Sequence, residues 1–564
     1  MRRPGSPYLV AISLLVLAAF ATRAISLDTQ SLWRDEVDAL RFATAPWAEM
    51  LSNFVRPGWN GPLYFLLLRG WIAFTGTSEY AMRFFSLAFG VLCVPLAYVL
   101  GRALFSRHIE LLAALLVTTS PYLTWYGQEV KMYTLVPTLV LVAVYAQKRG
   151  MSRTAGGKDW HWWIAQIIAT SLALYTHVLA ALLIPVQVLL YLAWWPRTRR
   201  QWVGALVCLG CVTLPYLPLV IWQAPLIWQT RETGFYPYTL GEMTQILLNG
   251  WSLGILGWGQ PWGTLLMSTL AIWGLISPLF LPWEETPAED LQQPPSQDAG
   301  LSGTTPSSGQ LTSSARMVKL ENRIALLCWL ATPLLIIWLI STRSPLFTDR
   351  YLVWTAPAFY LLVALGLASF RHFGDAGRWV TVFLVCVILI LNGANQWQQA
   401  SVSIKSDFRA AAAYVADYHA SHETTAPQLT DEPPATTTKP SGRYAFRSYL
   451  PLISTTGPAF DDLIVFQIPH GRYTFDYYFP EEAYPWAEGL YTNHRAPDGS
   501  YFMGEQEAAY RMQEMTARHD TMWLIATETE MWDERGLVQA WLEANTHRVD
   551  EAHFMRVDVY RYVR

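Results

Sequence analysis

The sequence predicts a mainly α-helical membrane protein that crosses the bilayer about eleven times and ends in a C-terminal α/β domain. Of its 564 residues, 52% are hydrophobic and only 15% are charged. Apolar stretches of membrane-spanning length recur through residues 1 to 396. After them, residues 397 to 564 alternate polar segments with short apolar runs, which is the pattern of a small mixed domain outside the membrane.

The charge and the cysteines argue against two classes of protein. A net charge of -3 gives no basic surplus for binding nucleic acid. All five cysteines lie in apolar stretches and therefore predict no disulfide framework. Cys208 and Cys211 have the C-x-x-C spacing of a metal site, but they lack a second pair of ligands. We interpret them as small buried core residues.

The first apolar run, residues 8 to 27, is interpreted as a membrane span, because it is long enough and many more spans follow. The alternative is a cleaved signal peptide, since Arg2 and Arg3 precede a run that ends in "ATRA". Further spans are predicted at about 81 to 100, 109 to 125, 130 to 146, 160 to 176, 178 to 195, 202 to 222, 262 to 282, 323 to 341, 351 to 370 and 379 to 396.

The short apolar segment "GPLYFLLLRGWIAFTG", residues 61 to 76, decides the predicted topology. If it lies along the outer surface as an interfacial helix, every basic loop falls on the cytoplasmic side, as the positive-inside rule requires. Residues 28 to 80 then form the first external loop, and residues 397 to 564 are external as well. The cytoplasmic basic residues are Arg2, Arg3, Arg102, Arg107, Lys148, Arg149, Arg153, Lys158, Arg197, Arg199, Arg200, Arg371 and Arg378.

Two polar stretches interrupt the predicted elements. Residues 284 to 322 are rich in Pro, Ser, Gln and acidic residues, and they predict a disordered cytoplasmic linker. Residues 421 to 442 predict a flexible insert in the C-terminal domain. Around that insert, "DFRAAAAYVADYH" and "GLVQAWLEAN" predict helices, whereas "DLIVFQI", "MWLIAT" and "FMRVDVYRYV" predict strands.

Charged and amphiphilic residues gather at the predicted external ends of several spans. Ionisable groups at membrane depth are costly, so they usually face a cavity and a partner. One such residue could be an interfacial anchor, but acids and bases from five elements on one face favour a shared site. They are Asp35 and Glu36, Arg83, "YGQEVKMY" from Tyr126 to Tyr133, His177, and "RSPLFTDRY" from Arg343 to Tyr351.

The adjacent carboxylates of Asp35 and Glu36, in "SLWRDEVDAL", point in different directions in either a helix or a strand. They are therefore not expected to act as a matched acid and base. One carboxylate can face the site. The other can instead cap the chain or pair with Arg34 or Arg56, a structural role that stays open for Glu36.

Several motifs together resemble the GT-C glycosyltransferases, in the branch that contains protein O-mannosyltransferases, the aminoarabinose transferases of lipid A and bacterial RgtA-to-D-like enzymes. The resemblance covers residues 8 to 400 and, weakly, "SDFRAAAAYV" after them. The motifs are "SLWRDE", "PLYFLLLRGWIAFTG", "SEYAMRFFSLAFG", "SPYLTWYGQEVKMYTL", "LYTH" and "RYLVWTAPAFYLLVALG".

The resemblance implies transfer of a sugar, with inversion, from a polyprenyl-phosphate donor to a glycan, lipid or protein acceptor outside the membrane. It also implies that Asp35 is the catalytic base. Residue chemistry supports this, because an acceptor hydroxyl needs a carboxylate to take its proton and a departing phosphate needs positive charge. The predicted site is external, and a bacterial plasma membrane is the expected location.

Guanidinium groups match phosphate oxygens in bidentate geometry, so Arg83 and Arg350 are the preferred phosphate partners, with Lys131 and Arg343 behind them. Gln128, Glu129 and Tyr133 are further candidates for substrate binding. With these cations a metal is not required; a divalent ion shared by His177 and Glu129 is left open, although a lone His near a helix end is more often structural.

One motif departs from the family pattern. Where relatives commonly carry a Pro-Pro or Glu-Lys-Pro-Pro motif, this chain has "NGPLY", Asn60 to Tyr64, which lacks the lysine. The acceptor of the lipid A enzymes is therefore not expected to be the acceptor of this protein. Two other functions remain as alternatives: a transporter or flippase of lipid-linked sugars, although paired hydropathy halves are not evident, and an inactive partner in cell-envelope assembly.

Overall fold

The computed structural model describes residues 6–54, 60–105, 107–151, 160–195, 201–218, 220–221, 235–279, 308–423, 461–480, 483–496 and 498–564. Most of these residues are helical, and a small β-sheet lies in the C-terminal segment. The chain forms two compact units. Unit 1 contains Met1–Ile25, Ala45–Leu68 and Arg83–Ser401, and unit 2 contains Ser26–Thr44, Arg69–Met82 and Val402–Arg564.

The helices up to residue 401 follow the apolar stretches of the sequence, with shorter helices between them. Short 3-10 turns at Val178–Leu182 and Asp349–Thr355 precede two of them. The helices are α1 (Ser6–Ala24), α2 (Arg34–Thr44), α3 (Trp47–Phe54), α4 (Leu63–Thr75), α5 (Glu79–Leu104), α6 (Arg107–Thr119), α7 (Pro121–Gly127), α8 (Leu135–Met151), α9 (Trp160–Leu174), α10 (Leu183–Ala193), α11 (Trp202–Thr213), α12 (Leu240–Leu253), α13 (Trp262–Ile276), α14 (Ser308–Ser341), α15 (Ala356–Ser369) and α16 (Gly374–Ser401).

In the described part of the chain, four helical segments are long and apolar enough to cross a membrane: Pro7–Ala24, Glu79–Leu104, Leu320–Ser341 and Asp349–Ser401. The last segment covers two predicted spans, α15 and α16, and the chain turns between them at Gly374, whose φ is 66°. Several shorter apolar helices match other predicted spans. The number of spans stays a prediction.

Helix α14 corrects part of the linker prediction. It begins at Ser308, so residues 308 to 322 are helical where the sequence predicts a disordered linker. This part contains Leu, Ala, Arg, Met and Lys, which favour helix, and it leads directly into an apolar span from which the helix can propagate. Residues 284 to 307 lie outside the described residues.

Helix α4 has 13 residues, which is shorter than an upright membrane span requires. The sequence predicts an interfacial helix in this segment, residues 61 to 76, and the helix length agrees with that expectation. Its position at the membrane surface stays a prediction.

Unit 2 contains a five-stranded mixed sheet in the order β2-β1-β3-β5-β4. Strand β1 is parallel to β2 and β3, and β5 is antiparallel to β3 and β4. Its elements are α17 (Phe408–Glu423), β1 (Leu463–Phe466), α18 (Gly471–Tyr478), β2 (Trp486–Glu488), α19 (Glu505–Thr516), β3 (Thr521–Ala526), α20 (Thr529–Trp532), α21 (Leu537–Asn545), β4 (His547–Phe554) and β5 (Val557–Val563).

Both faces of this sheet are covered. Successive side chains of a strand point to opposite faces. Thus Phe466 packs in a core with Phe408 of α17, whereas Val465 packs in a second core with Met512 of α19. Burial on both faces explains why "DLIVF" has no alternation of polar and apolar residues.

The end of the chain corrects a second prediction. The sequence predicts one strand through "FMRVDVYRYV", residues 554 to 563, but the chain turns at Met555 and Arg556, where Arg556 has a φ of 56°. Residues 547 to 554 form β4 and pair with β5 as a hairpin. Strand β4 was not predicted because its polar residues "HRVDEAH" are mostly exposed and lack a strong apolar pattern.

Two segments that overlap the predicted first external loop, residues 28 to 80, group with the C-terminal segment in unit 2: Ser26–Thr44 and Arg69–Met82. Ser31 donates a hydrogen bond to the Ser406 carbonyl oxygen at 2.6 Å, and Arg409 donates to the Asp28 carbonyl oxygen at 2.9 Å. The boundary predicted between residues 396 and 397 stays a prediction. The predicted flexible insert, residues 421 to 442, lies outside the described residues beyond Glu423.

Candidate active site

Helix α2 in unit 2 carries both carboxylates of the "WRDE" motif in its first turn. Negative charge there is favourable, because the first backbone N–H groups of a helix point toward it. The buried face of α2 includes Glu36, Val37 and Leu40. Asp35 is half-buried and precedes Glu36 by one position, about a quarter turn around the helix. The structure therefore separates the two carboxylates, as predicted.

The carboxylate of Glu36 is fully buried and forms an ion pair with Lys405, with 2.8 Å between Oε2 and Nζ. Only 5% of the Lys405 side chain is exposed. The Lys405 ammonium also lies 5.5 Å from the ring centre of Trp33. A buried carboxylate in such a pair can position the helix but is poorly placed to take a proton from a substrate.

The predicted partners of Glu36 require a correction. Arg34 pairs with Asp38 at 3.9 Å instead, because residues four apart lie on one face of a helix and residues two apart do not. Arg56, the other suggested partner, lies outside the described residues. The partner that the structure assigns, Lys405, is 369 positions along the chain.

Another carboxylate, Glu79, whose side chain is 12% exposed, also ties the early segments of unit 2 to its C-terminal part. Arg409 forms an ion pair with Glu79, and the Tyr478 hydroxyl donates a hydrogen bond to it. Burial and the charge of Glu79 raise the pKa of Tyr478 well above its usual value, so this phenol stays protonated. The same hydroxyl accepts a hydrogen bond from the Leu32 N–H at 2.6 Å. This network holds the segment of the chain that leads into α2.

Unit 1 contains a group of basic side chains that we name the basic cluster: Lys131, His177 and Arg350. His177 begins the 3-10 turn before α10, and its Nδ1 accepts a hydrogen bond from the Leu179 N–H at 3.1 Å. Burial, together with the positive charges of Lys131 and Arg350, lowers the pKa of His177 to about 3. The imidazole is therefore neutral, and it carries its proton on Nε2.

Tyrosine residues lie beside the basic cluster and beside Asp349, the residue before Arg350. The Tyr351 ring lies 5.0 Å from the His177 ring between their centres, and the Arg350 guanidinium lies 5.9 Å from the centre of the Tyr351 ring. Next to Arg350, the Asp349 carboxylate accepts a hydrogen bond from Tyr126 at 2.8 Å. The Asp349 carbonyl oxygen accepts one from Tyr122 at 2.9 Å. These two bonds to α7 hold the start of the Asp349–Thr355 turn.

The backbone at Lys131 is held by hydroxyl groups from two helices. The Ser86 hydroxyl of α5 donates a hydrogen bond to the Lys131 carbonyl oxygen at 3.1 Å, and it lies 3.1 Å from the Tyr64 hydroxyl of α4. Thr134 donates in turn to the Ser86 carbonyl oxygen at 2.7 Å. Ser86 and Tyr64 are fully buried, so the segment that presents Lys131 has a defined position.

The "NGPLY" motif packs on the turn that presents His177. The Leu63 N–H donates to the Tyr175 carbonyl oxygen at 2.9 Å, and the Asn60 side chain accepts from the Val178 N–H at 3.4 Å. A Cβ atom on Gly61 would lie 2.0 Å from the Tyr175 oxygen, so only glycine fits. The motif therefore supports the basic cluster even though it lacks the lysine of the relatives.

The other predicted site residues have different environments. Arg83 is buried on α5, one turn before Ser86. Glu129 is buried, and the Tyr133 ring lies 5.4 Å from that of Tyr126. Arg343, in contrast, is exposed in the turn after α14.

Gln128 has a structural contact that the sequence did not indicate. Its amide donates to the carbonyl oxygens of Arg23 and Ile25, at 3.0 and 2.9 Å, and so caps the end of α1. Satisfying the last carbonyls of a helix is a common use of such an amide. A role for Gln128 in substrate binding stays a prediction.

A metal site would require at least one more ligand than the sequence proposes. Among the residues that the structure describes, no group of three or more His, Cys, Asp and Glu side chains could hold a metal ion. His177 and Glu129 together could supply at most two protein ligands. Structural and catalytic zinc sites use three or four.

The sequence did not indicate several residues that support the "WRDE" motif in unit 2 or the basic cluster in unit 1. Lys405, Arg409 and Tyr478 lie far along the chain from "WRDE", so local patterns do not connect them. Tyr64 lies in "NGPLY" and Asp349 in "RSPLFTDRY", and both are polar residues in quoted motifs. Attention to every hydroxyl and carboxylate of those motifs could have identified them.

Comparison with known proteins adds family and fold information. Residues 57–224 match the family described as dolichyl-phosphate-mannose-protein mannosyltransferase. That range contains Arg83, Lys131 and His177. No curated protein sequence matches the chain.

The fold is similar to solved membrane-enzyme structures. ArnT from Cupriavidus metallidurans, bound to undecaprenyl phosphate, has a TM-score of 0.52 at 13% identity, over 99% of this chain and 98% of that chain. Its apo form has a TM-score of 0.53 at 13% identity and the same coverage.

The Archaeoglobus fulgidus oligosaccharyltransferase, in complex with Zn and sulfate, has a TM-score of 0.51 at 13% identity, over 98% of this chain and 72% of that chain. Identities this low establish the fold alone. The chain thus has the polytopic membrane fold of the GT-C glycosyltransferases, and the resemblance that the sequence motifs indicated is confirmed.

Proposed function

We propose that this protein is an inverting glycosyltransferase that moves a sugar from a polyprenyl-phosphate carrier to an acceptor on the extracytoplasmic face of the membrane. The observation that carries the proposal is the basic cluster of unit 1. Lys131 and Arg350 provide positive charge for an anionic group, and the neutral imidazole of His177 beside them provides one N–H donor. A departing phosphate is such a group, and fixed cations stabilise the charge that develops on it.

The comparisons support a lipid phosphate as the anion. The matching family is described by a dolichyl-phosphate-linked mannose, and one ArnT structure is bound to undecaprenyl phosphate. Lys131 and His177 lie within the matched range, residues 57–224. Arg350 lies outside it but acts on the same imidazole. Arg83, which is buried one helical turn from Ser86, is proposed as a further phosphate contact.

The proposal assigns the proton transfer to Asp35. The acceptor hydroxyl gives its proton to the Asp35 carboxylate while its oxygen bonds to the anomeric carbon of the sugar. The bond from that carbon to the phosphate oxygen breaks, and the carrier leaves as polyprenyl phosphate. Attack opposite to the leaving group inverts the anomeric centre. Because Glu36 is buried against Lys405, it positions α2 in this scheme.

The proposal also fixes an orientation, which cysteine labelling can test. In a background without native cysteines, Asn545→Cys on α21 should react with an impermeant thiol reagent added outside intact cells. His372→Cys, in the predicted cytoplasmic turn between α15 and α16, should react only after the membrane is opened. Both positions are exposed. The reverse pattern would place the C-terminal domain in the cytoplasm.

The activity is tested by incubating purified protein with radiolabelled polyprenyl-phosphate sugars and candidate acceptors, and measuring release of free polyprenyl phosphate. We expect turnover of at least one donor and its loss in Arg350→Ala. Arg378→Ala is a matched control, because Arg378 pairs with Asp375 at an exposed site. Transport of intact donor across the membrane without release would favour the flippase alternative.

A further inference from the structure

Unit 2 presents a continuous group of aromatic side chains, which we name the aromatic platform: Tyr491, His494, Phe502 and Trp532. Ring centres are 4.5 Å apart for Tyr491 and Trp532, 6.1 Å for Tyr491 and His494, and 4.4 Å for His494 and Phe502. Phe502 is 58% exposed and Tyr491 is 43% exposed. Single exposed aromatics are ordinary, but a contiguous group marks a binding surface.

The platform lies where α/β sheets commonly bind ligands. Strands β1, β2 and β3 are parallel, so their carboxyl ends lie at one edge. Tyr491, His494 and Phe502 follow β2 along the chain, and Trp532 ends the short helix α20 that follows β3. The connection after β1 leads to β2 on one side, and the connection after β3 leads to β4 on the other, so the strand order reverses between β1 and β3. Ligand crevices form at such switch points.

Hydrogen bonds hold the two parts of the platform together. The Thr492 N–H donates to the Trp532 carbonyl oxygen at 2.9 Å, and the Asn493 amide donates to the Glu530 carbonyl oxygen at 2.8 Å. Arg535 donates to the carbonyl oxygens of Thr492 and Met503, at 3.0 and 2.8 Å. The platform is therefore formed before any ligand arrives, which lowers the entropic cost of binding.

A polar rim borders the aromatic rings. Arg495 forms an ion pair with Glu534, and the Tyr501 hydroxyl donates a hydrogen bond to the same carboxylate. The Arg495 guanidinium also donates to the Tyr501 oxygen at 2.5 Å. The rim has both donors and acceptors. Glu534 balances the charge of Arg495, and the Arg535 guanidinium, 3.8 Å from the centre of the Tyr501 ring, adds a further positive charge. The rim suits a neutral ligand with many hydroxyl groups, whereas an anionic lipid surface requires a larger excess of positive charge.

We infer that the aromatic platform binds carbohydrate, with apolar C–H faces of sugar rings on Tyr491 and Phe502 and hydroxyl groups on the rim. Neither an aromatic surface nor a polar rim alone would select this ligand class, but carbohydrates present both kinds of surface. The further identification of this carbohydrate as the acceptor glycan rests on the proposed function. It narrows the acceptor from a glycan, lipid or protein to a glycan.

The test uses the full-length protein in lipid nanodiscs, without sugar-based detergents. Binding of mannotetraose, maltotetraose, cellotetraose and chitotetraose is measured by isothermal titration calorimetry. We expect at least one to bind, and Phe502→Ala and Tyr491→Ala each to weaken that binding about tenfold or more. Tyr510→Ala, at a 67% exposed tyrosine on α19, should leave it unchanged.

Absence of binding to every oligosaccharide would overturn the inference, as would unchanged binding in both platform variants. Flotation with vesicles of phosphatidylcholine and phosphatidylglycerol tests the membrane as the ligand, using the protein in nanodiscs. Binding of the wild-type protein to these vesicles, together with its loss in Phe502→Ala, would also overturn the inference, because the platform would then bind lipid. The donor-release assay reports separately on the proposed function, because release of polyprenyl phosphate does not depend on which surface binds the oligosaccharide.

Discussion

The ion pairs around α2 in unit 2 and the basic cluster of unit 1 use charge in opposite ways. In unit 2, Glu36 lies 2.8 Å from Lys405, and Glu79 pairs with Arg409, so opposite charges meet. In unit 1, burial and the positive charges of Lys131 and Arg350 lower the pKa of His177 and keep its imidazole neutral. Removing one member of a buried opposite pair is costly, so such pairs fix a structure. Perturbed groups near like charges are instead characteristic of functional sites.

This difference assigns different tasks to the charged motifs. The pairs of unit 2 hold the chain on both sides of "WRDE", which places Asp35 at the start of α2 and leaves Glu36 as its support. The basic cluster of unit 1 is arranged for an anion.

Asp35→Asn should lower turnover by about 100- to 10,000-fold, the usual range for the loss of a general base. The amide keeps the size of the side chain but cannot take the acceptor proton, so donor binding should persist. The measurement is the rate of polyprenyl-phosphate release, with donor affinity measured in parallel. Full activity in Asp35→Asn together with an inactive Glu36→Gln would reverse the assigned roles.

Lys405→Met should destabilise the protein by about 3–5 kcal/mol, because it leaves the Glu36 carboxylate buried without its ammonium partner. Chemical unfolding of the solubilised protein measures the change. Adding Glu36→Leu to Lys405→Met should restore part of the stability, since two apolar side chains can replace a buried pair.

The matched control for the buried pair is Arg378→Met, which breaks the exposed pair with Asp375 and should cost less than about 1 kcal/mol. Equal losses in Lys405→Met and Arg378→Met would show that burial does not distinguish the two pairs. The division between structural and functional charges would then lose its energetic basis.

His177 should make stability depend on pH in a defined window. Its pKa is about 3 in the folded protein and 6.5 ordinarily, so below pH 6.5 the unfolded chain binds a proton that the folded chain does not. Stability should therefore fall by about 1.4 kcal/mol per pH unit from this group as pH decreases from 6.5 toward 3.

His177→Gln removes that proton uptake, so its stability should depend less on pH between 6.5 and 4.5 than that of the wild type. Unfolding midpoints at several pH values measure the difference. Above pH 7.5 the group contributes no slope in either protein. Parallel curves for the two proteins throughout the window would mean that the imidazole is not held neutral by its surroundings.

The smallest effect is expected for Arg343→Ala. Arg343 was predicted beside Arg350 as a phosphate partner, but it is exposed in the turn after α14. Exposed charges contribute little because water screens them. Donor affinity should change by less than about threefold, compared with a large loss in Arg350→Ala. Equal losses of donor affinity in Arg343→Ala and Arg350→Ala would show that Arg343 also contacts the phosphate.

The sequence predicted those parts of the fold that local patterns determine. Apolar runs located the long helices, and "DLIVF" and "MWLIA" located the two buried parallel strands β1 and β3. The helix at 308 to 322 and the exposed strand β4 were missed, because propagation from a neighbouring span and pairing with β5 override weak local preference.

The candidate site was predicted by residue type but not by partner. Lys131, His177 and Arg350 come from three motifs that the sequence placed at the same ends of the predicted spans, and electrostatic interaction now connects them. The partner of Glu36 could not be predicted, because Lys405 is separated from it by 369 positions and follows no motif. Contacts over such distances depend on the whole fold.

The central claim is that the basic cluster holds the phosphate of a polyprenyl carrier, and equilibrium binding tests it without any acceptor. Affinity for undecaprenyl phosphate should be measured in nanodiscs for the wild type, for Lys131→Ala combined with Arg350→Ala, and for Arg378→Ala. The account predicts saturable binding by the wild type and Arg378→Ala, and a loss of about 100-fold or more in the double variant. Equal affinity in all three proteins would contradict it.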